Sequence, residues 1–411
     1  MYIKEEEIRL QTAIKYVHFS CTGTEKLSDT KDFGTAVAKK AWNFHKTFPE
    51  YTMTPLADLK NLAKELGLAS IHVKDESYRF NLNAFKVLGG SFCLGSYIAK
   101  KLGVDIAKLP YEKMVSPEIK EKLGEITFVT ATDGNHGRGI AWTANRLGQK
   151  SVVYMPKGSA QERLHNIQAL GADASITDLN YDAAVDFARS QGEKNGWVLV
   201  QDTAWEGYEE YPRYIMQGYT TMAAEAVEQL QGEKPTHIFL QAGVGAMSGA
   251  LTGFFANLFG DKNRPVITIV EPNQADCIYR TARANDGKLH SVTGDMNSIM
   301  AGLCCGVPCT LGWDMLRDHA DNFVSMPDYV AAKGMRILGN PLGNDPRVIS
   351  GESGASTLGF VAEVMTNEAL WELRETLGLN KDSRVLVFST EGDTDKANYR
   401  KIVWDGLFPS F

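Results

Sequence analysis

Short apolar runs recur along the chain, separated by longer stretches in which apolar positions return every three or four residues. The runs Ile71–Val73, Thr127–Ala131, Ser151–Met155, Trp197–Val200, His237–Gln241, Val266–Val270 and Val385–Phe388 are nearly continuously apolar rather than alternating. Strands covered on both faces read this way, as in parallel sheets flanked by helices. The longer stretches predict helices over Pro55–Leu66, Gly137–Leu147, Ala160–Leu170 and Tyr211–Gln231. Such alternation indicates an α/β architecture with open parallel sheets. Two segments, 289–326 and 338–350, carry scattered Gly, Cys and Pro and predict long irregular loops, which are often functional.

Composition narrows the class without choosing a function. The chain has 411 residues, enough for two domains, with 44% hydrophobic and 23% charged residues. We expect a smaller α/β domain at 91–220 inserted into a larger one formed by 1–90 and 221–411. A net charge of −7 argues against a nucleic-acid or anionic-membrane partner. Met1–Leu10 is charged and shows no secretory pattern, and no run reaches bilayer length. Six cysteines are too sparse for a disulfide scaffold, and Cys304, Cys305 and Cys309 lack metal-site spacing. The expectation is a cytoplasmic protein without a metal.

Three segments carry candidate chemistry. Lys74-Asp75-Glu76 ends the first strand, and Asn83-Ala84-Phe85-Lys86-Val87-Leu88-Gly89-Gly90 then leads into a helix. A lysine becomes nucleophilic when its ammonium is desolvated, and Phe85, Val87 and Leu88 flank Lys86 with apolar groups. Alone, the same segment reads better as a surface lysine at a helix start. Thr132-Asp133-Gly134-Asn135-His136-Gly137 forms a strand-to-helix turn, whose successive N–H groups make an anion site suited to a carboxylate. Asp133 could instead be a helix cap.

The third segment, Gln241-Ala242-Gly243-Val244-Gly245-Ala246-Met247-Ser248-Gly249, runs from a strand into a helix. Glycines admit a phosphate to the backbone, and a helix N-terminus favours its charge. A competing reading makes it a dinucleotide loop of an NAD-dependent oxidoreductase, with Glu271 as the ribose-binding acid. Ser248 stands where that fingerprint requires glycine, which weakens it.

In this order, with Thr54-Pro55-Leu56 upstream, the segments resemble fold-type II pyridoxal-5′-phosphate (PLP) enzymes of the tryptophan synthase β-like group. That group includes serine and threonine dehydratases and serine racemase. The resemblance implies two open parallel-sheet domains with the cofactor in the cleft between them. It makes Lys86 the Schiff-base lysine and Asn135 the contact to the cofactor 3′-oxygen. The loop from Gly243 through Val244, Gly245 and Ala246 to Met247 becomes the phosphate cradle. Thr390, in Ser389-Thr390-Glu391-Gly392, would meet the pyridine nitrogen, and Glu391 or Asp393 remains an alternative partner.

Asp133, where the dehydratases carry a hydroxyl, points further. So do Gln201-Asp202-Thr203-Ala204-Trp205-Glu206-Gly207-Tyr208 and Phe388-Ser389-Thr390-Glu391-Gly392-Asp393. With these the chain resembles the diaminopropionate ammonia-lyase branch over nearly its whole length. That implies elimination of ammonia from D- or L-2,3-diaminopropionate in amino-acid degradation, with Lys86, Asp133 and Asp202 catalytic. Thr132, Asp133, Gly134, Asn135, His136 and Asp202 would bind the substrate. A dehydratase acting on a hydroxyamino acid is the nearest alternative. A homodimer is what the resemblance implies for assembly.

Overall fold

The computed structural model describes residues 13–19, 27–132 and 134–410. Contacts divide these into two units. The first comprises the described residues through Thr30 with Thr54–Tyr78 and the chain from Glu225 onward, and the second comprises Lys31–Met53 and Arg79–Ala224. Lys86 and its flanking segment therefore fall in the second unit, upstream of the 91–220 span expected for a small domain.

The first unit is built on seven strands: β1 (Lys15–His18), β2 (Leu56–Asp58), β3 (Ser70–Asp75), β8 (His237–Gln241), β9 (Val266–Pro272), β10 (Asn322–Met326) and β11 (Arg384–Ser389). Their order is β1-β10-β9-β8-β11-β3-β2. The five central strands are parallel, whereas β1 and β2 pair antiparallel at the two edges, so this sheet is mixed. Its core includes Phe239, Val270, Val330, Phe360 and Val387.

The second unit holds β4 (Thr127–Ala131), β5 (Lys150–Met155), β6 (Asp173–Ile176) and β7 (Val198–Leu199), all parallel in the order β6-β5-β4-β7. In both sheets the C-terminal strand ends are where an open α/β fold places its ligands. The predicted α/β class and parallel cores are present.

Two local expectations fail for identifiable reasons. Pro55–Leu66 is not one helix: Leu56–Asp58 pairs with β3, and only Lys60–Glu65 is helical. The Asp345 carboxylate, far along the chain, accepts the N–H groups of Asn61 and Leu62 and starts that helix. The stretch 289–326 is not all loop, since it contains a helix at Thr310–His319 and strand β10. Polar Asn322 and Ser325 disguise β10, yet both are buried and satisfied by Thr268 and Asp276.

Glycines set the position of helix α1 (Val87–Lys101), which begins immediately after Lys86. It packs on α2 (Asn135–Arg146) and α3 (Glu210–Gln229) nearly backbone to backbone. A Cβ on Gly139 of α2 would stand 2.9 Å from the Val87 Cα and 3.1 Å from the Lys86 carbonyl oxygen. A Cβ on Gly218 of α3 would strike the Leu88 carbonyl and lie 3.0 Å from the Gly89 Cα. His45 adds a buried hydrogen bond to the Leu88 carbonyl at 3.1 Å. Gly218→Ala is expected to destabilise the protein by about 1–3 kcal/mol through overpacking. Denaturant unfolding checks this, and an unchanged midpoint would show that α1 is not held this closely.

Candidate active site

In the second unit, Lys86 is the residue before the first turn of α1, half-buried between buried Phe85 and Val87. Its Nζ donates to the Asp202 Oδ2 at 2.6 Å. Asp202 follows β7 and is buried. His136, in the first turn of α2, points its Nδ1 at the same carboxylate oxygen from 3.8 Å. Its Nε2 donates to the Val200 carbonyl at 2.9 Å, which fixes the ring orientation. Burial alone would push the Asp202 carboxyl up, but the His136 and Lys86 charges and the Lys86 hydrogen bond outweigh it and hold the group at about 2.

The loop after β4 lies beside this trio because β4 and β7 are parallel neighbours. Thr132 is buried, and its Oγ1 accepts the Gly134 N–H at 3.0 Å. Asn135 opens α2 and is half-buried. Asp133 lies outside the described residues. The structure thus brings Lys86, Asp202 and His136 together, with Thr132, Gly134 and Asn135 on the adjoining turn.

Gln201 was given no role by its sequence position. Its buried side chain accepts from the Ala131 N–H (3.2 Å) and the Thr130 hydroxyl (3.0 Å) and donates to the Ala131 carbonyl (3.0 Å). Its own N–H donates to the Tyr208 hydroxyl at 2.9 Å, which in turn donates to the Leu199 carbonyl. The loops bearing Thr132 and Asp202 are tied by this one amide. A buried glutamine next to an acid was the only available signal.

The first unit carries a second set at its own strand ends. Gly243 and Val244 are half-exposed after β8, and Gly245 starts α4 (Ala246–Phe259) with φ of +88°, a conformation that favours glycine. Ala246 and Met247 are buried in the first turn. The Val244 carbonyl is held by the Cys309 N–H at 2.7 Å. A half-open glycine turn feeding a helix N-terminus suits a phosphate dianion. Just past the end of neighbouring β11, Thr390 is buried, and its Oγ1 accepts from the Gln241 Nε2 at 2.8 Å. Glu391 turns back into the fold, accepting the Ser353 N–H at 3.3 Å.

The dinucleotide reading is overturned at its acid. Glu271 is fully buried, and its carboxylate accepts the N–H groups of Ile278 (2.9 Å) and Tyr279 (2.6 Å) at the start of the helix Cys277–Ala284. It is a helix cap and has no face to offer a ribose. Among the described residues no cluster of three His, Cys, Asp or Glu side chains could hold a metal, and no helix is long and apolar enough to cross a membrane.

The depressed Asp202 value has a consequence for stability. A carboxyl whose folded pKa lies below its unfolded value stabilises the fold above the unfolded pKa and loses that contribution as pH falls through the folded one. Between pH 5 and 2 the wild type should therefore lose about 2 kcal/mol more than Asp202→Asn. Urea unfolding across that range tests it, and parallel curves for the two proteins would contradict the ionised pair.

Comparison with known proteins identifies the family. Residues 47–391 match the family described as "Pyridoxal-phosphate dependent enzyme". The diaminopropionate ammonia-lyase of Salmonella typhimurium is 51% identical over 389 residues, covering 92% of this chain and 96% of that protein. The crystal structure of holo diaminopropionate ammonia-lyase from Escherichia coli superposes with a TM-score of 0.90 at 48% identity, covering 97% and 98% of the two chains. A crystal structure of the same Escherichia coli enzyme, in complex with an aminoacrylate-PLP azomethine reaction intermediate, has a TM-score of 0.87 at 48% identity over 97% of this chain and 98% of that one. With the family match spanning residues 47–391 and this identity to a relative over nearly the whole length of both chains, the chain belongs to the pyridoxal-phosphate dependent enzyme family.

Proposed function

We propose that the protein is a diaminopropionate ammonia-lyase, converting 2,3-diaminopropionate and water to pyruvate and two molecules of ammonia. The observation that carries this reading is Asp202, a buried carboxylate held ionised between Lys86 and His136. A hydroxyamino acid offers such a group no cation. Diaminopropionate offers a distal ammonium, and a carboxylate that keeps it protonated keeps it in the form that departs as neutral ammonia. This disfavours the serine or threonine dehydratase alternative.

Lys86 would hold PLP through its aldehyde, with Asn135 at the 3′-oxygen, the Gly243–Met247 turn at the phosphate and Thr390 at the ring nitrogen. When bound, the cofactor withdraws electrons from the substrate Cα, which acidifies the α-proton and promotes loss of the β-substituent. The protein's own groups do the rest. Thr132, Gly134 and the first turn of α2 receive the substrate carboxylate. Asp202 attracts the distal ammonium. Lys86 removes the α-proton of one enantiomer, and Asp133 serves the other from the opposite face. A cytoplasmic homodimer is the assembly that accompanies this reading, and sedimentation would measure it.

Single-enantiomer assays with pyruvate and ammonia detection test the activity, and two ammonia per pyruvate is the expected yield. Faster turnover of serine or threonine than of either diaminopropionate isomer would replace the reading with a dehydratase. Lys86→Ala should abolish the visible band of the lysine-bound cofactor and lower turnover by orders of magnitude. Persistence of the wild-type spectrum would assign the cofactor to another lysine. Asp133→Asn should reduce turnover of the D isomer by roughly a hundredfold to ten-thousandfold, the usual contribution of a general base, with a much smaller loss for the L isomer. Equal losses for both isomers would remove the two-face arrangement.

A further inference from the structure

Gln241 ends β8 only 1% exposed, directly after the apolar Ile238, Phe239 and Leu240. Its Nε2 donates to the Phe388 carbonyl at 3.0 Å and to the Thr390 Oγ1 at 2.8 Å. The first contact fixes the amide orientation, because a carbonyl oxygen can only accept. The second contact is therefore also a donation, and Thr390 is the acceptor. A hydroxyl has a single hydrogen, so an oxygen that accepts here keeps that hydrogen for another partner. The Gln241 Oε1 is buried and has no hydrogen-bond partner among the described residues. An amide placed so deep, with one end unsatisfied, is costly unless its other end has a task.

We infer that Gln241 is a positioning residue: it commits Thr390 to donate its hydroxyl hydrogen to the ring nitrogen of bound PLP. The inference rests on Thr390 facing that nitrogen, as in the proposed function. The consequence is electronic. An amide does not titrate, and a threonine donates a hydrogen bond without transferring its proton, so the nitrogen is hydrogen-bonded yet uncharged. Donation to Thr390 also polarises its O–H, since linked hydrogen bonds reinforce one another. An acid in place of Gln241 would take the Thr390 hydrogen for itself and reverse the chain.

The test compares PLP with 1-deazapyridoxal phosphate, in which C–H replaces the ring nitrogen, by equilibrium binding to cofactor-free enzyme. The wild type should prefer PLP by roughly two- to tenfold, the worth of one neutral hydrogen bond. Gln241→Met should lose that preference by weakening PLP alone, and adding Thr390→Val should cost nothing further. If Gln241→Met does not fold, Gln241→Glu at alkaline pH serves, with the same loss of preference expected. Equal weakening of both cofactors, or an undiminished preference for PLP, would overturn the role of Gln241 while leaving Thr390 in place. A wild type that binds both equally would remove Thr390 from the ring nitrogen, and the inference with it, without touching the elimination activity.

Discussion

The site depends first on how closely α1 can approach its neighbours. Lys86 is carried by the backbone at the start of that helix, and the distance to Asp202 follows from where the helix lies. Gly139 and Gly218 let α2 and α3 approach to main-chain contact, and Gly90 faces Gly139 from the other side with its own Cβ position 3.2 Å from the Gly139 carbonyl. Close-packed interiors transmit such displacements with little loss. A methyl group at either contact moves the first turn of α1, and a 2.6 Å lysine–carboxylate contact tolerates little of that.

The candidate groups in the two units rely on different physics. In the second unit the working groups are charged and mutually dependent: Asp202 remains ionised although buried because Lys86 and His136 outweigh the cost of its desolvation. Removing one member of a buried ion pair exposes the full burial cost of the other. In the first unit the candidate contacts are backbone N–H groups, glycine geometry and neutral side chains. Such groups need no counter-ion and act at any pH at which the protein is folded.

Much of this was legible in the sequence, in a characteristic way. Continuous apolar runs located the central parallel strands, since strands buried on both faces must be apolar throughout. They missed β1, β2 and β6, short edge strands, and β10, whose buried Asn322 and Ser325 look like surface residues until their partners are known. The lysine and asparagine–histidine segments were legible because their chemistry is local and ordered. Gln201 and Gln241 were not, because a glutamine signals nothing until the groups it joins have been brought together. Glu271 misled for the same reason: its spacing from a glycine turn fitted a ribose acid, while its carboxylate was already committed to two N–H groups seven and eight residues on.

The glycines of α1 also bear on the order in which the molecule acquires its reactivity. Gly89, Gly90 and Gly95 lie inside this 15-residue helix, and each costs about 1 kcal/mol of intrinsic helix stability relative to alanine. A helix so composed is too weak to persist alone in water and takes its stability from the surfaces it meets. Lys86 therefore gains its fixed geometry only when α2 and α3 are already in place. A nascent or partly unfolded chain carries the same lysine on a disordered tether, with no carboxylate at its tip, and is chemically ordinary. On the proposed role of Lys86, reactivity toward an aldehyde cofactor is in this sense a property of completed tertiary structure, withheld from the chain until the surrounding helices have assembled.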